Sequence, residues 1–140
     1  MTYRDTLRET LRKDEDEVPY AYQDSEGFWS IGIGRLIDKR AGGRLRPDEM
    51  ALMLENDMDE AEADARALFP AFEGLSDARK VVLCSMAFNL GRERLAGFKK
   101  LRAAVSAGDW ETAAAEMSHS LWAAQVKGRA DRLITMMKEG

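Results

Sequence analysis

Period-two alternation is confined to one short stretch of this chain, and nearly everything outside it repeats at helical spacing. Tyr20 to Gln23 and Phe28 to Gly34 read as two strands around the turn Asp24-Ser25-Glu26-Gly27, with Gly27 supplying the positive φ a tight turn needs. Alternation sends Trp29, Ile31 and Ile33 to one face and Phe28, Ser30, Gly32 and Gly34 to the other. The second face is nearly bare after Phe28. Glycines weaken a strand, so their presence marks a close approach by a backbone or a ligand. Leu36 and Ile37 extend the hairpin toward a third strand before Gly42-Gly43.

The remainder reads as helix. Thr2 to about Lys13 opens with a capping box, Thr2 with Asp5, and carries the apolar stripe Tyr3, Leu7 and Leu11. Pro47 suits a first helical position, and Met50, Met53, Leu54, Met58, Ala61, Ala65 and Leu68 follow helical spacing up to Pro70; the methionines are expected to pack. Ser76 caps a helix that runs to Leu90 and stops at Gly91; being apolar nearly all round, it is expected at the centre of the core. Shorter helices follow over Lys99 to Ala107, closed by Gly108, after the cap Asp109, around Trp122, and over Arg129 to Met137. The fold class is therefore α+β in a single domain. A small β-containing lobe over about 14–46 is joined by a bridging helix, 47–70, to a helical lobe, 71–140, on which helix 2–13 is expected to pack. A cleft between lobes is the usual place for a ligand.

With 140 residues, 45% of them hydrophobic, the chain can build a core without disulfides or metals. Its one cysteine, Cys84, lies in an apolar run and is expected to be a buried thiol. No stretch approaches the roughly 20 apolar residues that span a bilayer, and the N-terminus has no signal-peptide core, so the expectation is cytoplasmic accumulation in the producing cell. A net charge of −4 argues against general nucleic-acid binding. One basic segment stands out: Arg35, Lys39, Arg40, Arg44 and Arg46 against the single acid Asp38, either a solvated loop or a contact for an anionic substrate. The only histidine, His119, has no partner cluster and reads as a surface or packing residue. No metal-ligand spacing or phosphate-binding loop is found, so neither cofactor nor metal is expected.

Asp14-Glu15-Asp16-Glu17 places four acids at the end of the first helix, where negative charge opposes the helix dipole. Solvation, or pairing with arginines, is the plain explanation. Glu15, however, is the next step of the Tyr3, Leu7, Leu11 stripe, so it is expected to be partly buried and to hold its proton toward neutrality. Asp24, in a hairpin turn, is wetter and expected to stay ionised. Two carboxyls in unlike surroundings are what glycosidic cleavage uses. Ser30, on the bare face of the next strand, is placed to help hold a water.

The stretch Glu15-Asp16-Glu17-Val18-Pro19-Tyr20-Ala21-Tyr22-Gln23-Asp24-Ser25-Glu26-Gly27-Phe28-Trp29-Ser30-Ile31-Gly32-Ile33-Gly34 resembles the active-site segment of the phage-type lysozymes, the endolysins or muramidases that include the T-even coliphage enzyme. That family's pattern is a Glu, eight residues, an Asp, five residues, then a Thr followed by Ile-Gly-x-Gly; Glu15, Asp24 and Ser30 fall at those spacings, and Tyr22-x-Asp24-x-x-Gly27 matches as well. Pro47-Asp48-Glu49, Met86-Ala87-Phe88-Asn89-Leu90-Gly91, Asp109-Trp110-Glu111, Ser120-Leu121-Trp122 and Gly128-Arg129-Ala130-Asp131-Arg132 extend the likeness through most of the chain.

The resemblance implies a two-lobed lysozyme-like fold and hydrolysis of the β-1,4 bond between N-acetylmuramic acid and N-acetylglucosamine in peptidoglycan, with inversion. It implies Glu15 as general acid, Asp24 as partner carboxylate and Ser30 in place of the family's threonine. Arg129 would pair with Glu15 and Arg132 with Asp14; Tyr22, Gly32, Gly34, Arg35 and Asn89 would bind substrate or support the site. The expected partner is the peptidoglycan glycan strand, met by a monomer after release through a separate membrane pore, with no nucleic acid and no membrane insertion. Departures from the pattern are Ser30 for Thr, Arg35 for the usual His, and Asp16 where a Gly often follows the catalytic Glu. Arg35 removes a proton-responsive group, so an ion pair there becomes permanent. Two rival readings are a catalytically weak or inactive lysozyme-fold protein that binds peptidoglycan, and a helical interaction module without catalysis.

Overall fold

In a computed structural model of the chain, which describes residues 2–126 and 128–140, the first element is helix α1, Tyr3–Asp14. Its N-cap is Thr2, whose side chain accepts from the Asp5 amide while the Asp5 carboxylate accepts from the Thr2 amide at 2.8 Å, the expected capping box. Glu15 ends the helix in an extended conformation. Three antiparallel strands follow: β1, Glu17–Gln23; β2, Trp29–Ile33; and β3, Arg35–Leu36, in the order β1-β2-β3. β1 is longer than the alternation predicts because it takes in Pro19. The register between Val18↔Gly32 and Tyr22↔Ser30 is irregular there, on an edge strand, where a residue without an N–H is tolerated. Gly32 and Gly34 both have positive φ, and they turn β2 into β3 within the span of Ile33.

The chain divides into two compact units, Met1–Ala51 and Leu52–Gly140. The division falls inside helix α2, Pro47–Leu68, which starts at proline as expected.

The first unit is held by polar contacts. Among its described residues the only buried side chains are Ser30, 5% exposed, and Asp38, 7% exposed. Asp38 caps a 3-10 turn, Lys39–Ala41, and takes the Arg40 guanidinium and amide. That contact first, and burial against it, leave the carboxyl well below its usual range. Arg40 also lies over the Phe28 ring. Arg35 Nη1 reaches both oxygens of Glu49, at 2.6 and 2.8 Å. Glu49 in turn accepts from the Arg46 amide at 2.9 Å, the N-terminal half of a capping arrangement for α2. The basic segment is thus largely paired: Arg35, Arg40 and Arg46 all meet carboxylates within their own unit.

The second unit has the hydrophobic core. Helices α3, Asp77–Leu90; α4, Arg92–Ala96; α5, Lys99–Ala107; α6, Trp110–Ser118; α7, Leu121–Val126; and α8, Gly128–Glu139 bury Val82, Leu83, Met86, Leu95, Leu101, Val105, Met117 and Met137 almost completely. Ser76, Gly91, Gly108 and Asp109 do the capping the sequence assigns them. Arg79 near the start of α3 locks the ends of two other helices. It donates to the carbonyls of Met137 and Lys138 at 2.9 and 3.2 Å, and its guanidinium lies 3.8 Å over the Trp110 ring.

Four packing expectations change. α3 is not apolar-buried all round, since Val81 and Phe88 are half exposed and only one face lies in the core. Cys84 is part-buried, with its thiol pushed up by desolvation and then by Glu62. Met50, Met53 and Met58 of α2 stand about half exposed; that helix buries Ala61, Ala65 and Leu68 instead. On α1 no residue is buried, Leu7 and Leu11 included. Periodicity groups residues on a face but does not say what covers it.

Replacing Arg79 by Ala should lower unfolding free energy by about 1–3 kcal/mol, from two hydrogen bonds and a cation–π contact, with an unchanged urea m-value; Arg79→Lys should recover only part, having no planar fork. The pH dependence of Glu49 has a definite sign. Its carboxyl is lowered to about 2, first by Arg35 and then by the Arg46 amide, so its contribution is complete above the ordinary value of 4.5 and lost as pH falls toward 2. Thermal melts of wild type and Glu49→Gln should differ by a constant amount from pH 7 to about 5 and converge toward pH 2.

Candidate active site

Glu15 lies where α1 hands over to the sheet. Glu15 is the C-cap of α1, with φ −104° and ψ 152°, and its amide still donates to Leu11 at 2.8 Å. The extended backbone takes it off the helical stripe, and its side chain is exposed, contrary to the expected partial burial. What it does touch is Gly34. A Cβ at Gly34 would lie 2.9 Å from both the carboxyl carbon and Oε2 of Glu15, so the carboxyl rests on the bare backbone of the β2–β3 turn. The strand glycines are expected to admit a backbone or a ligand; at Gly34 it is the Glu15 side chain that comes close, while Gly32 faces open space and serves the turn through its φ of 70°. Asp14 and Asp16 flank Glu15, both exposed, and Arg12 pairs with Glu17 at 3.5 Å, easing the acid load at this helix end.

Asp24 begins the hairpin turn. Its Oδ1 accepts from the amides of Glu26 and Phe28, both at 2.9 Å, while its own amide donates to Phe28 and its carbonyl accepts from Gly27. One carboxylate oxygen is therefore fixed by the turn, and Oδ2 accepts no hydrogen bond from the described residues. Arg40 steadies the turn through Gly27 and the Phe28 ring.

Ser30 pairs with Tyr22 on one side and Leu36 on the other, so the three side chains form a row across the sheet. Its hydroxyl donates no hydrogen bond to the described residues, yet no buried side-chain oxygen among them is left fully enclosed without a partner; the hydroxyl keeps an opening. Tyr22 connects the acids to this row. Its phenol is pushed above its ordinary value of 10 by desolvation first, then by the negative charges of Asp16, Glu15 and Asp24. That tyrosine is the cross-strand neighbour of Ser30.

Arg35 follows Gly34 and is committed to Glu49, which keeps it cationic. Sequence reasoning passed over Glu49, Asp38 and Arg40 as site supports. The only local signal was the acid three residues after Arg46 in Arg46-Pro47-Asp48-Glu49.

In the second unit, Asn89, Arg129 and Arg132 line a largely apolar groove of about 770 Å³ together with Leu54, Met58 and Phe88. Asn89 accepts from the indole of buried Trp122 at 3.4 Å. His119, the C-cap of α6, is exposed, and no group of metal-ligating side chains is found among the described residues.

Comparison with known proteins adds three relatives. The chain is 30% identical over 160 residues to the pre-baseplate central spike protein Gp5 of Enterobacteria phage T4, covering 96% of this chain and 28% of that protein. Probable T4-type lysozyme 1 of Dictyostelium discoideum is 26% identical over 161 residues, with 96% of this chain and 95% of that one aligned. Peptidoglycan hydrolase gp36 of Pseudomonas phage phiKMV is 28% identical over 133 residues, 93% of this chain and 15% of that protein. The chain thus spans under a third of the spike protein and nearly all of the slime-mould lysozyme. A family model described as phage lysozyme matches residues 12–135, from the end of α1 to the middle of α8. On that match, which takes in the acids, the hairpin and the helical unit, this chain belongs to the phage lysozyme family.

Proposed function

We propose that this chain is an endolysin-type lysozyme that hydrolyses the β-1,4 bond between N-acetylmuramic acid and N-acetylglucosamine in peptidoglycan by a single displacement. The observation that carries the reading is the phage lysozyme family match over residues 12–135, which takes in Glu15 against the Gly34 backbone, Asp24 held by the turn amides with Oδ2 free, and Ser30 on the adjoining strand. Family membership and relatives named as lysozymes and a peptidoglycan hydrolase support the substrate class.

In this reading the Glu15 carboxyl protonates the leaving glycosidic oxygen as the C1–O bond breaks. A water held between the free oxygen of Asp24 and the Ser30 hydroxyl attacks C1 from the opposite face, and its proton passes to Asp24. Glu15 is left as carboxylate and Asp24 as acid, and proton exchange with solvent resets both. The product carries inverted configuration at C1. The producing cell would hold the enzyme in its cytoplasm until a separate pore releases it to the wall, so that host lysis is its biological role.

The exposure of Glu15 favours one alternative, a lysozyme-fold protein that binds glycan and turns it over weakly. The two separate on purified peptidoglycan. An enzyme releases reducing ends, with the α-anomer appearing first by NMR, whereas a binder sediments with the wall and releases none.

Glu15→Gln should abolish clearing of chloroform-treated Gram-negative cells while leaving the thermal midpoint within about 2 °C; equal clearing by both proteins would remove Glu15 from its role. Ser30→Ala should lower kcat about 10- to 100-fold with little change in KM, the signature of a group that acts on the attacking water and not on glycan binding.

A further inference from the structure

The carboxyl assigned as proton donor rests on a backbone whose apolar neighbours, Ile31, Leu36 and Ile37, are only part-buried. Gly34 is the point of contact, with Glu15 Cγ, Cδ and Oε2 about where a Cβ would stand. The next residue, Arg35, belongs to a two-residue strand paired to Ile31. So short a strand on a positive-φ turn is weakly fixed by its own ladder. The Ile37 and Asp38 amides continue the pairing on the Trp29 carbonyl, at 2.9 and 3.2 Å, and charge adds to it. Arg35 Nη1 meets both oxygens of Glu49, and Glu49 is anchored by the Arg46 amide and the Arg46 guanidinium, the latter at 3.7 Å. Arg46 is itself fixed as the residue whose carbonyl accepts the first helical bond of α2, from Met50. The path is continuous: the start of α2, Glu49, Arg35, Gly34, then the Glu15 carboxyl. All of it lies within the first compact unit.

We infer that Glu49 is a positioning residue for catalysis, holding Arg35 so that the Gly34 backbone forms a fixed seat for the Glu15 carboxyl. This rests on the assignment of Glu15 as general acid. Glu49 touches neither substrate nor the reacting atoms in this role. The pair suits the task because Glu49 stays ionised to about pH 2 and Arg35 stays cationic, so the seat does not loosen over any pH at which the acid has to work. Hydrogen bonds to ionised groups are short and directional, and small displacements of a proton donor are expensive in rate.

The test uses the full chain as Glu49→Gln, with Glu49→Asp as the charge-conserving variant and Arg35→Glu/Glu49→Arg as the swap. The contact is read by the NOE between the Gly34 α-protons and the Glu15 γ-protons, and the reaction by kcat and KM on soluble glycan fragments across pH. In wild type the NOE should be present. In Glu49→Gln it should weaken, kcat should fall about tenfold with KM within twofold, and the alkaline limb of the kcat profile should move. Glu49→Asp, which keeps the charge and shortens the reach, should fall in between, and the swap should restore part of both readouts. Should Glu49→Gln not fold, Glu49→Asp and the swap carry the same comparison. An unchanged NOE with reduced kcat, or a lost NOE with unchanged kcat, would each overturn the inference, as would a loss of activity that tracks only the folded fraction. If wild type cleaves no glycan, the functional reading fails by itself. The NOE and the NMR titration midpoint of the Glu15 carboxyl then decide the seat alone, and identical values in wild type and Glu49→Asp would reject it.

Discussion

The unit that carries the acids is assembled around ionised groups, and the rest of its architecture depends on that. Its two buried side chains among the described residues are a serine and an aspartate, while the near-complete burial of apolar side chains begins at Ala61. A segment of about fifty residues that buries so little apolar surface cannot be held by the hydrophobic effect alone. Caps, turn bonds and ion pairs take over: Thr2 with Asp5, Asp24 with the Glu26 and Phe28 amides, Asp38 with Arg40, and Glu49 with Arg35 and the Arg46 amide. Apart from buried Asp38, surface contacts of this kind are individually weak, but here each is coupled to a backbone group at a turn or a helix start. Such contacts fix geometry more than they add stability. A reactive constellation needs the first more than the second.

Local rules are broken where the chemistry is proposed. Four acids crowd a helix C-terminus, glycines interrupt a strand, and a proline sits in β1. Each has a local answer in the structure. Arg12 and Lys13 occupy the last turn of α1; Gly34 makes room for Glu15; Pro19 lies where the β1–β2 register slips. Departures of this sort are expected at sites that trade stability for function, and their clustering between residues 14 and 34 is itself informative.

Much of the fold was legible because it is written in short-range chemistry. The capping box at Thr2, the proline at the start of α2, Ser76, Gly91, Gly108 and Asp109 all set their helix ends as read, and Gly27 makes its turn. The row of Tyr22 and Ser30 follows from alternation once the turn is placed. What was not legible has a common cause. The exposure of Glu15, Leu7, Leu11 and the α2 methionines, the part-burial of Cys84, and the open side of α3 all concern what lies opposite a face, which spacing does not encode. The Arg35–Glu49 pair spans fourteen residues with no periodic signature. Helix α4 is a five-residue piece opened by Gly91 without a side-chain cap, too short to announce itself.

The contrast between the units bears on how the chain can respond to its surroundings. The second unit is close-packed around Leu83, Met86, Leu101 and Met117 and closed by the Arg79 lock, so its opening should require global unfolding. The first has no such core, and its contacts are directional and charge-based, so it should open locally at far lower cost. Acids, hydroxyl and glycine seat all belong to this less stable part. Hydrophobic packing holds the helical unit, and in the proposed reaction the ion pairs of the other unit would set where the protons and the water are held.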